Sequence, residues 1–166
     1  MEWRRTANYT ALVLVLAAVA LLVLQPPLWL VSTGDYGNAS VTAVDGNGTA
    51  VAAVDVRIAN TTAQKRVGLS RTDFLPQGTG MLFVFDDEAV RHFHMKNTSI
   101  PLDVVFVAAN GTVTTVHHAP VPEDTPSADL RRYSGRAKWV LEVERGWANR
   151  TGVGVGDRIE IPEHVD

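Results

Sequence analysis

Met81-Leu82-Phe83-Val84-Phe85 is apolar at every position. A strand sends successive side chains to opposite faces, so a segment with no polar position is buried on both sides. The run therefore predicts a central strand that forms part of the core. It is followed by an acidic turn, Asp86–Glu88, and by an alternating strand with Phe93 and Met95 on one face and His92, His94 and Lys96 on the other.

The rest of the chain reads as short strands around turns. Asn47-Gly48 between Val41–Val44 and Ala50–Ile58, and Asn110-Gly111 between Val104–Ala108 and Val113–His118, carry the hairpin signature. If Ala109 faces Thr112, the register puts Asp103 opposite His118. Thr61-Thr62-Ala63-Gln64 has the spacing of a capping box, which predicts a helix from about Thr62 to Ser70. His118–Lys138, with Pro120, Pro122 and Pro126, reads as a long loop. Lys138–Glu144 resumes alternation, with Trp139, Leu141 and Val143 inward and Glu142 outward. Gly152, Gly154 and Gly156 precede a last strand, Arg158–Ile161, and do not join a strand to a helix, so they are no phosphate loop.

Residues 1–31 read as a membrane element. Arg4 and Arg5 precede the uncharged apolar segment Ala11–Leu24, which places the N-terminus in the cytoplasm and exports the remainder. No small-x-small cleavage site follows, so an uncleaved transmembrane anchor extending to Val31 is preferred to a cleaved signal peptide. Residues 32–38 form a linker, and 39–166 a single extracytoplasmic domain. All seven asparagines (Asn8, Asn38, Asn47, Asn60, Asn97, Asn110, Asn149) are followed by a non-proline residue and then Ser or Thr, the N-glycosylation acceptor pattern.

The chain has no cysteine, which excludes disulfides, thiolate metal sites and cysteine nucleophiles. A formal charge of −3 excludes a broadly basic nucleic-acid binder.

GMLFVF, MKNTSIPLD, the Asn110-Gly111 turn, WVLE and GVGVGD together resemble the domain of unknown function 192 family, from about Val51 to Ile161. Arg66, Gly68, Leu69 and Arg71 match that family's helix segment, whereas Ser70 replaces a usual methionine and His94 a usual tryptophan. The resemblance implies a mainly β (α+β) domain, a compact barrel-like, mostly antiparallel sheet with one short helix near 62–70. It implies no known reaction.

Lys96, Asn97 and Thr98 crowd donors at a strand end, where they can hold an anionic or hydroxyl-bearing ligand or build the turn before Pro101. Lys96, Asp103, Arg66, Arg71 and Glu142 are the candidates for the rim or floor of a groove, with Asn97 and His118 beside them. Asp103 and Glu142 can serve acid/base chemistry only if they converge. His92 with His94, or His117 with His118, can ligate a metal with a carboxylate, although strand histidines are more often solvated; no metal or cofactor is expected. These features favour a membrane-anchored binding module for a small polar ligand or envelope component. A hydrolase or glycan-active enzyme using Asp103 and Glu142, or a scaffold, are the alternatives.

Overall fold

The computed structural model describes residues 35–70, 72–123 and 130–165, within one compact unit, Thr33–Asp166. The expected anchor and its arginines lie outside the described residues. Among the described residues no helix is long and apolar enough to cross a membrane.

The elements run β1 (Gly37–Val44), β2 (Ala50–Ala59), α1 (Thr62–Val67), β3 (Thr79–Phe93), β4 (Leu102–Val107), β5 (Val113–Ala119), β6 (Tyr133–Glu144), α2 (Trp147–Thr151) and β7 (Arg158–Glu160). A 3-10 turn, Glu163–Val165, follows. The strands form one seven-stranded sheet in the order β5-β4-β6-β3-β2-β1-β7. Only β2 and β3, joined through α1, run parallel. The sheet curls into a half-barrel: a single bridge between Thr112 and Arg158 ties the start of β5 to β7, and the Val113 N–H donates to the Asp157 carbonyl at 2.8 Å. The chain is mainly β with a short helix, as its patterning predicts.

Met81, Leu82 and Phe83 are buried as their unbroken apolar run requires. Leu82 packs with Val56, Val105, Leu141 and Val143 on one face of the sheet. Met81 and Phe83 pack on the other with Val104, Phe106 and Val140. Each such side chain contributes about 1.5–3 kcal/mol when taken from water. On the second face the aromatic rings meet edge-on: Phe83 and Phe93 centroids are 4.9 Å apart, and Phe93 and Phe106 5.9 Å. Edge-to-face contact sets the positive rim of one ring against the negative face of the next.

Four local expectations are corrected. Asp86–Glu88 is no turn between strands. It is an irregularity inside the single strand β3, whose register against β6 breaks between Val84 and Ala89. Glu88 holds this bulge by accepting the Ala109 N–H at 2.7 Å and Arg136 Nε at 2.6 Å. Helix α1 stops at Val67 because Gly68 takes φ +50°. Strand β6 starts at Tyr133, inside the stretch read as loop, and a second helix, α2, follows it.

The capping box forms as spaced: the Gln64 N–H donates to Thr61 Oγ1 at 3.2 Å and the Thr61 N–H to Gln64 Oε1 at 3.1 Å. The β4–β5 hairpin keeps its predicted far end by two compensating changes. The Ala108 N–H donates to the Thr112 carbonyl at 2.9 Å, so the turn holds three residues and Gly111 supplies the left-handed φ of +86°. Thr114 then bulges out between Val113 and Thr115 and restores the register, so that Asp103 pairs with His118.

Candidate functional site

Strand β6 lies between β3 and β4, and its Glu142 stands opposite Met81 on one side and Val104 on the other. Those neighbours belong to the aromatic face. Glu142 was expected on an outward, polar face, yet it is only 7% exposed. The reason is that β6 is an interior strand whose second face is covered by α1 and the aromatic rings. Among the described residues the Glu142 carboxyl makes no hydrogen bond or ion pair. Burial pushes it up to about 8, so at neutral pH it is protonated.

Its carboxyl lies at a 450 Å³ cleft bordered by α1, Phe83, Phe93 and the end of β3. Arg66, from α1, and Lys96, three residues after β3 ends, also line it. Both are exposed, and neither side chain makes an ion pair among the described residues. Lys65 is held differently. Its Nζ donates to the Val84 carbonyl at 2.6 Å and lies 4.7 Å from the Phe85 ring centre. Burial lowers its pKa, against an opposing pull from Asp86. The cleft thus combines an apolar wall, one neutral carboxyl within, and free cations at the rim.

The structure brings together Arg66, Lys96 and Glu142 from the sequence candidates. Asn97 adjoins them in the turn after β3, where it has φ +53°, the one positive φ outside glycine among the described residues. Asn tolerates that region better than most residues, so its place in the turn accounts for it. Arg71 lies outside the described residues.

Asp103 and His118 lie elsewhere. Asp103 pairs with Val143 while Val104 pairs with Glu142, so the two carboxyls leave the sheet on opposite faces. They do not converge, and paired acid/base chemistry between them has no geometry to use. Asp103 is fully buried, and both its oxygens are occupied. Oδ1 accepts from His118 Nδ1 at 2.7 Å and from Arg145 Nη1 at 3.4 Å; Oδ2 accepts the N–H groups of Gly146 and Ala148, each at 3.0 Å. This carboxylate ties α2 to the sheet.

Two of the other histidines are similarly engaged: His92 Nδ1 bonds Ser134 Oγ at 2.7 Å and His117 Nε2 the Ser134 carbonyl at 2.8 Å, while His94 is exposed and, like His92, borders the Glu142 cleft. Among the described residues no three His, Asp or Glu side chains gather where they could hold a metal ion. A larger groove of 690 Å³ beside β2 contains Asp55, Arg57 and Phe74, but no buried ionisable group, and so lacks the feature that marks the cleft.

Sequence reasoning missed Lys65 and the phenylalanine wall. The capping box at Thr61 fixes the helix that carries Lys65, but only the fold brings that helix over β3 and β6.

The family model described as an uncharacterized ACR, DUF192, matches residues 42–161. The chain belongs to the DUF192 family. No curated protein matches it. Two crystal structures resemble this DUF192 domain. One is a candidate transcription regulator from Sinorhizobium meliloti 1021, 31% identical, with TM-score 0.68, covering 76% of this chain and 95% of that one. The other is a protein of unknown function from Novosphingobium aromaticivorans DSM 12444, 30% identical, with TM-score 0.65, covering 75% and 85%.

Proposed function

We propose that this DUF192 domain is a binding module that takes a small polar ligand in the cleft at Glu142, and that the chain carries it on the outer side of a membrane through residues 1–31. The observation that supports the reading is the buried Glu142 carboxyl, which faces a cleft without a protein partner. Leaving such a group unbonded costs about 1–3 kcal/mol unless water or a ligand satisfies it. A protonated carboxyl both donates and accepts, which suits a hydroxyl group. Arg66 and Lys96 at the rim suit an anionic group on the same molecule. The best-matched class is therefore a hydroxyl-bearing small anion, such as a sugar acid or a polyol phosphate, whose apolar face lies on Phe93.

The description of the Sinorhizobium meliloti neighbour invites a nucleic-acid reading, which the formal charge of −3 disfavours. NMR titration of the full chain in detergent with a panel of sugar acids and polyol phosphates tests the proposal. Shifts confined to residues around Glu142, Phe93 and Lys96 support it. Saturable binding that maps to the Phe74 groove overturns it.

A further inference from the structure

Seven asparagines that all precede a non-proline residue and a Ser or Thr require a cause, because Ser and Thr together make up roughly an eighth of the chain. Asn8 falls on the side of the membrane element read as cytoplasmic. The other six lie in the described domain, and every one is exposed. Local structure explains some of the asparagines themselves. Asn47 and Asn110 sit in hairpin turns, and Asn97 takes a left-handed φ. It does not explain the residues two positions on.

The hydroxyls of Ser40, Thr49, Thr62 and Thr112 make no hydrogen bond among the described residues, whereas Thr151 donates to the Trp147 carbonyl at 2.9 Å. Four of the six hydroxyls are thus unused by the fold. Among the six asparagine side chains, that of Asn47 donates to the Asp45 carboxylate, and the other five side-chain nitrogens donate no hydrogen bond among the described residues. Asn110 Oδ1 accepts the Thr112 N–H at 3.0 Å, which leaves its nitrogen turned away from the backbone. A pattern that recurs at every asparagine, places each described asparagine on the surface and leaves four of the six hydroxyls unused by the fold fits an acceptor read by another enzyme.

We infer that the folded domain is N-glycosylated at these surface sites, Asn47 at the β1–β2 turn among them. The inference rests on the export of the domain and is independent of the ligand cleft. In the reaction the Asn Nδ2 attacks C1 of a glycan activated on a lipid phosphate. The N–C1 bond forms and the bond from C1 to the phosphate oxygen breaks. The amide proton passes to the base of the membrane glycosyltransferase, and the lipid phosphate leaves. Asn60 and Asn97 adjoin residues that line the cleft, Thr62, Lys96 and Thr98. Glycans there would flank its mouth and restrict it to small molecules.

The test is peptide mass mapping of the full chain purified from the organism that encodes it, with protease accessibility on intact cells as a separate readout of topology. Expected are glycan masses on Asn47 and on further sites of the six, none on Asn8, loss of the Asn47 adduct in Thr49→Ala, and its retention in Thr49→Ser. The Thr49 hydroxyl has no partner among the described residues, so neither variant disturbs the fold. Unmodified peptides at all six sites in a protease-accessible domain overturn glycosylation and leave export standing. The same result in a protected domain overturns both. An Asn47 adduct that persists in Thr49→Ala overturns recognition of the pattern.

Discussion

His118 Nδ1 donates to Asp103 Oδ1 at 2.7 Å across the β4–β5 pair, from a half-exposed ring to a fully buried carboxylate. The other Asp103 oxygen receives the Gly146 and Ala148 N–H groups. A strand residue thereby satisfies the first turn of α2, whose Trp147 and Ala148 close one side of the core. The carboxylate is structural, although its imidazole neighbour suggests chemistry.

Asp103→Ala leaves two backbone donors and His118 without their acceptor. Loss of about 3 kcal/mol is expected, read as a lower urea midpoint. His118→Phe removes one bond from a half-exposed group and costs about 1 kcal/mol.

Glu142 gives the stability a pH dependence whose sign follows from its raised pKa. Its ordinary value is 4.5 and its folded value about 8. Between those values the unfolded chain has released the proton that the folded chain retains. Stability from this group therefore falls as pH rises from 4.5 to about 8, by at most about 1.4 kcal/mol per pH unit. Glu142→Gln removes this fall. Melting temperatures measured across that window should decline less steeply in the variant, which should be the more stable protein at its upper end.

Gly80 pairs with Val143 where β3 meets β6. A β-carbon there would sit 2.6 Å from the Glu142 carbonyl oxygen, a backbone atom that cannot swing away. Gly80→Ala should cost about 1–3 kcal/mol in chemical denaturation.

Trp139 Nε1 is buried without a hydrogen-bond partner, although the ring packs in the core. Trp139→Phe loses ring area but also removes the unsatisfied donor. The two effects oppose, so a change within about 1 kcal/mol is expected, against about 3–5 kcal/mol for Trp139→Ala.

Much of the fold was legible because the signals were local. The run Met81–Phe85, the Thr61–Gln64 box and the two Asn-Gly turns each act through near neighbours. The Asp103–His118 pairing was also legible, but through a turn one residue longer than assumed and a compensating bulge at Thr114. The site was less legible. Alternation along β6 placed Glu142 outward, because period two separates two faces and says nothing about which of them is covered. Whether Asp103 and Glu142 converge depends on the pairing of β4 with β6, residues far apart in the chain. Sequence could offer both carboxylates as candidates; only the register put them on opposite faces.

The most direct test of the cleft is ligand-induced thermal stabilisation of the full chain, measured in parallel on wild type, Glu142→Leu and Lys96→Ala with sugar acids and polyol phosphates. At ligand a hundredfold above its Kd, about 2.7 kcal/mol of stabilisation is available, a rise of several degrees in Tm. The expected result is such a rise in wild type and a rise reduced at least by half in each variant. An equal rise in all three proteins would contradict a ligand site at Glu142.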